Sequence, residues 1–236
     1  MANFAAFTLY EVFGYLMPGG VTLLAFLVLY WAVLVPGVPI GIATFQMGIV
    51  TWVAVAFASY LLGHATQGVS NLIFSTSIED AVLNTETGSA PKWMRDCAKQ
   101  AANEILKITG TVDFGGRWTF RTLDEFAVQT GQAGDRDIFV YREGFYRATS
   151  ISLLFLCGAL IVRLLVPGAC IQFTHWLFHI SFWELLMTAA VSGGIGYLFV
   201  GRYRRFADYR ITRAVLAALV LRGMPKENNS HKSGNV

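Results

Sequence analysis

The chain has 236 residues, 55% hydrophobic and only 14% charged, with a formal net charge of +3. A soluble domain carries about a quarter charged residues. A fully solvated globule is therefore excluded, and the deficit falls in four segments, as membrane spans do.

The first residues, Met1 to Ala6, lack a basic flank, so no secretory signal is expected and the N-terminus is read as retained. The first span is expected within residues 5–35, with Phe13–Val35 as its apolar stretch. It is interrupted by Pro18, Gly19 and Gly20, because proline removes a backbone donor and crowds the preceding turn. Two forms fit: one kinked span, or a short interfacial helix to Met17 followed by a span from Gly20. The break reads either as a tolerated kink or as an unwound site of the transporter kind. Val35 to Pro39 makes an uncharged turn. The second span is expected over Ile42–Gly63, with His64 and Gln67 at its exit.

From Gly68 to Arg147 the character changes. This insert carries nine Lys/Arg and eleven Asp/Glu. Val69–Asn84 reads as a helix prolonging the second span. Ser89 is expected to cap a helix to about Ile108, with Pro91 in its first turn. Trp93, Cys97, Ala101, Ile105 and Ile108 would form its apolar face. Trp118–Phe120 reads as an extended piece, and Thr122 with Glu125 as a capping box opening a short helix to Gln129. Ile138–Arg147 should be a helix entering the third span, Ala148–Val166, which holds Arg163.

Val166, Pro167 and Gly168 make a second uncharged turn. The fourth span is expected over about Phe173–Val200 and closes on Arg202, Arg204 and Arg205. The tail continues as a helix to about Leu221, with Arg210 and Arg213, until Gly223 and Pro225 stop it. The expected fold is therefore all-α and polytopic. It has a transmembrane hairpin over 1–67, a helical insert over 68–147, a second hairpin over 148–201 and a basic tail over 202–236. The Val-Pro-Gly ending shared by the first and third spans is a weak sign of internal duplication; turn chemistry alone also produces it.

All Lys/Arg except Arg163 fall in the insert or the tail. The positive-inside rule then places both termini and the insert in the cytoplasm of a cell membrane, the inner membrane if the cell is bacterial.

Glu184 is the most informative candidate. Within a span from Phe173 it would sit near mid-hydrocarbon, where an acid is costly and faces a bundle interior or a cavity. Ser181, Glu184, Thr188, Ser192 and Gly196 recur at spacings of three and four. They read as a pore-lining stripe or as a small-residue packing seam with Gly193 and Gly194. Arg163 is a natural partner for Glu184, or it snorkels to the interface. His175 and His179 could share a metal on one helix face, but no third ligand follows, so they read as interfacial residues. Cys97, Cys157 and Cys170 have no CxxC spacing, which points to neither a disulfide framework nor a zinc site. Arg202, Arg204, Arg205, Arg210 and Arg213 would meet anionic lipid or an acidic partner, and the tail helix is expected to pack on the insert or on the bilayer.

No phosphate loop, dinucleotide pattern, nucleophile elbow or nucleic-acid module is present, so no enzyme, cofactor or nucleic-acid partner is expected. Two functions remain. One is an oligomeric, channel-like membrane effector controlled by its insert, a build shared in architecture with small bacterial proteins that breach the membrane in phage defence. The other is a non-conducting anchor that scaffolds a cytoplasmic protein.

Overall fold

A computed structural model describes residues 2–33, 48–74, 78–84, 88–107, 115–131, 136–166, 171–172, 179–180 and 182–221. Its elements are α1 (Ala2–Val33), α2 (Ile49–Phe74), α3 (Ile78–Leu83), α4 (Lys92–Ile105), α5 (Gly115–Gln129), α6 (Arg136–Leu165), β1 (Ile171–Gln172), β2 (His179–Ile180) and α7 (Phe182–Leu221). β1 and β2 form a minimal antiparallel ladder, Ile171 opposite Ile180. The chain divides into two units. The first is Met1–Thr76 with Val140–Phe206, and the second is Ser77–Phe139 with Ala207–Val236. Residues 68–147, expected as one insert, thus contribute to both.

Among the described residues, four helices are long and apolar enough to cross a membrane: Val12–Tyr30, Ile49–Leu83, Val140–Leu165 and Phe182–Val220. Their outward faces carry exposed Leu24, Phe26, Phe57, Leu61, Ile161, Leu186 and Val191. In a soluble domain such a surface would be a liability; against lipid tails it is the ordinary solvent-facing surface.

In the first unit α1 passes through Pro18 without ending. The single-span form is the one adopted, and no separate interfacial helix precedes Gly20. Proline has no N–H to give the Gly14 carbonyl, and close packing on α2 holds the helix together there. A Cβ on Gly19 would overlap the Ser59 carbonyl oxygen, and one on Gly63 would overlap that of Tyr15. The two backbones therefore touch, as only glycine allows. The buried face of α2 is Ser59, Gly63, Thr66 and Ser70, small residues at steps of four, three and four. Farther along, Ala25, Val28, Leu156, Ala159, Leu160, Leu185 and Ala189 form an apolar core shared by α1, α6 and α7. At the opposite end, Tyr146 stacks on Phe206 at 5.3 Å and meets Phe199 edge-on at 5.1 Å. Phe74 tilts against Tyr203 there at 5.1 Å.

The second unit has its own core. Val82 and Leu83 of α3, Met94, Ala98 and Ala102 of α4, and Phe120 and Leu123 of α5 pack with Ile211, Val215 and Ala218 of α7. The basic tail helix is thus a structural member of this unit.

Several local expectations are corrected here. Pro91, not Ser89, occupies the N-cap position of α4, without a side-chain cap. A residue before proline is biased away from the helical region, so the helix cannot start at Ala90. Of the expected apolar face of α4, Ala101 is buried, Cys97 and Ile105 pack partly buried on the core, and Ile108 lies outside the described residues, but Trp93 is 56% exposed; Met94, Ala98 and Ala102 complete the buried face. The three alanines permit a close approach that the larger tryptophan would prevent.

Trp118–Phe120 is not extended but lies inside α5. Thr119, Phe120, Leu123 and Ala127 are its buried face, a helical period that overrides the local signals. The Thr122–Glu125 box opens no helix, because Gly115 already begins one in a left-handed conformation (φ 68°). Asp80 of α3 supplies the cap instead, its Oδ1 accepting the Arg117 N–H at 2.9 Å.

The fourth span also differs. Its helix begins at Phe182, and His179 lies in extended, paired backbone. His179 therefore has no helical i, i+4 relation to His175, which lies outside the described residues, as do Ile42–Gln46, Ser181 and the turns after Val33 and Val166. α2 begins at Ile49 and runs past Gly63 to Phe74.

Candidate functional site

Three groups of polar residues lie within the apolar helices of the first unit, and each is positioned by helix periodicity.

The first is on α7. Because the helix starts at Phe182, Glu184 sits in its first turn and not in the middle of a span. An anion there is favoured by the partial positive charge of the helix start, by about 0.3–1 kcal/mol. Glu184 and Thr188 are exposed, whereas Ser192 and Gly196 are buried. The stripe of fours does not hold one face, since each step of four residues rotates by ~40° around a helix of 3.6 residues per turn. From Glu184 to Gly196 the drift is ~120° by the same rule. The seam that packs inward is instead Leu185, Ala189, Ser192 and Gly196. Ser192 donates to the Ala189 carbonyl at 3.0 Å, and Thr188 to that of Glu184 at 2.7 Å. A Cβ on Gly193 would lie 3.0 Å from Cys157 Sγ, and one on Gly196 3.2 Å from Leu154 Cγ, whereas Gly194 has open space. Gly193 and Gly196 therefore seat α7 on α6, and Gly194 does not.

The second group is Arg163, in the last turn of α6. It is 1% exposed. None of its three guanidinium nitrogens has a hydrogen-bond partner among the described residues, Glu184 included. A snorkelling arginine would keep its head in water; this one does not. The helix-end carbonyls contribute about 0.3–1 kcal/mol for a cation there, against several kcal/mol for removing a guanidinium from water.

The third group lies beside Pro18. Thr22 Oγ1 is 2.9 Å from the Pro18 carbonyl oxygen, 3.0 Å from Thr66 Oγ1 and 2.9 Å from Ser152 Oγ. Thr66 and Ser152 also reach the carbonyls one turn back, Leu62 at 2.8 Å and Ala148 at 3.0 Å. Three helices meet at this hydroxyl node, within their apolar spans. Its signal is present in the spacing of Ser59, Gly63, Thr66 and Ser70 on α2, which is legible as a small-polar face. The pairing with Ser152 of a distant helix has no local signal.

The tail arginines divide. Arg202, Arg204, Arg205 and Arg213 are exposed. Arg210 is engaged within the second unit: it pairs with Glu79 at 3.1 Å and lies 4.8 Å over the Phe120 ring. Among the described residues no group of three His, Cys, Asp or Glu is placed to hold a metal ion.

The arrangement is that of an all-helical multi-pass membrane protein with a small helical unit of its own. No protein family, curated protein or solved structure matches the chain.

Proposed function

We propose that the chain is an oligomeric, channel-like effector of a cell membrane (the inner membrane in a bacterium), gated through its helical unit. The carrying observation is the outward placement of Glu184 and Thr188 on α7, among exposed Phe182, Trp183 and Met187. Neighbouring copies meeting on this face would set a ring of carboxylates at one mouth of the assembly and hydroxyls one turn deeper. Such a ring concentrates cations. α7 supports the coupling: one 40-residue helix, Phe182–Leu221, carries both Glu184 and the Ile211, Val215 and Ala218 of the second unit's core. The distribution of Lys/Arg supports a cytoplasmic second unit and cytoplasmic termini, with Arg202, Arg204 and Arg205 on anionic lipid. The partners on this reading are lipid and further copies of the chain, and antiviral defence is a setting in which a signal-gated leak of this kind serves.

The test is cation efflux from vesicles holding the purified chain, with mass measured in detergent. Wild type should form a ring of defined copy number and leak. Glu184→Gln should lower the leak about tenfold with the ring intact. An impermeable wild type, or an unchanged leak in the variant, sinks the proposal.

A second reading, a non-conducting anchor for a cytoplasmic protein, is favoured by one feature. Trp93 and Trp118 of the second unit are 56% and 59% exposed, and Arg121 lies 5.6 Å over the Trp118 ring. Exposed Trp and Arg are typical contact anchors. A stable complex with a second protein, lost in Trp118→Ala, would favour this reading over the channel.

A further inference from the structure

We infer that Arg163 is a binding group for a phosphate-class oxyanion at the end of the first unit where α1 and α6 finish and α7 begins. The inference is independent of the channel reading.

Arg163 lies two residues before the end of α6 and of its apolar window. One turn earlier on the same face, Ala159 and Leu160 pack with Val28 and Leu185. The register against α1 is set by the Thr22–Ser152 contact and by the Phe26–Phe155 pair at 5.1 Å. Ten residues on from Thr22 and Ser152, ~15 Å at the helical rise, Ala32 comes level with Val162. Ala32 and Ala159 are both buried and small, and no described residue gives the guanidinium a hydrogen bond. Glu184, in the first turn of α7, is the acid of the adjoining helix start, and it faces outward.

A buried guanidinium with five donors and no acceptor among the described residues invites an anion from outside the chain. The guanidinium fork matches the paired oxygens of a phosphate. At the edge of the hydrocarbon, phosphates are supplied by lipid headgroups, and free phosphate shares the chemistry.

The experiment uses the full chain purified in mild detergent, with Arg163→Met and Arg163→Lys. Methionine keeps length and apolar packing without charge; lysine keeps the charge without the fork. Native mass spectrometry reads retained phospholipid, and thermal melts read added phosphatidylglycerol or, separately, sodium phosphate. Wild type should hold about one phospholipid per chain, with occupancy at least tenfold lower in Arg163→Met and intermediate in Arg163→Lys. Retention of phospholipid identifies the headgroup as the source. A phosphate-dependent rise in Tm without retained lipid, lost in Arg163→Met, identifies the free anion. If Arg163→Met does not fold, the wild-type and Arg163→Lys comparison decides alone. Binding equal in wild type and variants, or a wild type that responds to neither probe, overturns the inference.

Discussion

Thr22 of α1 and Ser152 of α6 meet hydroxyl to hydroxyl at 2.9 Å, 130 residues apart in sequence and within their apolar helices. Thr22 also contacts Thr66 of α2, so one side chain joins three spans. Its single proton serves only one of these contacts at a time, and each neighbour keeps a backbone carbonyl as its alternative acceptor. Thr22→Val, which keeps the shape and removes the hydroxyl, should destabilise the folded bundle by about 1 kcal/mol, the scale of buried hydrogen bonds between membrane helices. A double-mutant cycle with Ser152→Ala, read by unfolding in mixed micelles, should show non-additivity; additive effects would dissolve the node.

The glycines of α1 and α2 should separate sharply. Gly19→Ala drives a methyl group into the Ser59 carbonyl, and Gly63→Ala does the same at Tyr15. Each should cost about 3 kcal/mol or prevent the helices from pairing. A Cβ on Gly14 would meet nothing within 4 Å. Gly14→Ala should be neutral or stabilising by about 0.5–1 kcal/mol through helix propensity. Thermal melts of the three variants in one detergent give the ranking.

Arg210 and Arg204 are close neighbours in sequence with opposite expectations. Arg210→Gln loses the Glu79 pair and the Phe120 ring together. The second unit should lose about 1–2 kcal/mol and exchange its α5 and tail-helix amides faster. Arg204 is exposed, and Arg204→Gln should leave that exchange unchanged while weakening binding to anionic vesicles. Equal hydrogen-exchange profiles for both variants would refute the division.

Asp80 caps α5 from another helix, accepting the N–H of Arg117, 37 residues farther along the chain. Asp80→Ala should cost about 1 kcal/mol and fray the first turn of α5, with Asp80→Asn retaining most of the cap. Exchange rates at the Arg117 amide provide the measurement.

What is legible in the sequence follows from which signals are local. A span announces itself by apolar length, and α1 and α6 lie where that length predicts. The helical entry at Arg136 into the third span is equally plain, because nothing between it and Ala148 breaks the period. Helix starts read less well wherever the decisive group comes from elsewhere. Asp80 fixes the start of α5 from another helix, and Pro91 displaces the cap expected at Ser89. The start of the fourth span is misplaced by hydropathy because His179 and Ile180 adjoin residues as apolar as the helix that follows; hydropathy cannot separate a paired strand from a helical turn. That single shift moves Glu184 from the hydrocarbon centre to a helix end. The inward orientation of Arg163 is also beyond local reading. Its face follows from the register of α1 against α6, which the contacts of Thr22 with Ser152 and of Phe26 with Phe155 establish.

The backbone contact between α1 and α2 has a mechanical consequence. Two rods touching at Gly19 and Gly63 cannot slide past one another without a carbonyl climbing over an α-carbon, so this pair behaves as a fixed jaw. α7 meets α6 through softer material, the thiol of Cys157 and the side chains of Leu153 and Leu154. Sliding between helices in this unit is therefore opposed more firmly between α1 and α2, where backbone meets backbone, than between α6 and α7, where side chains can give way.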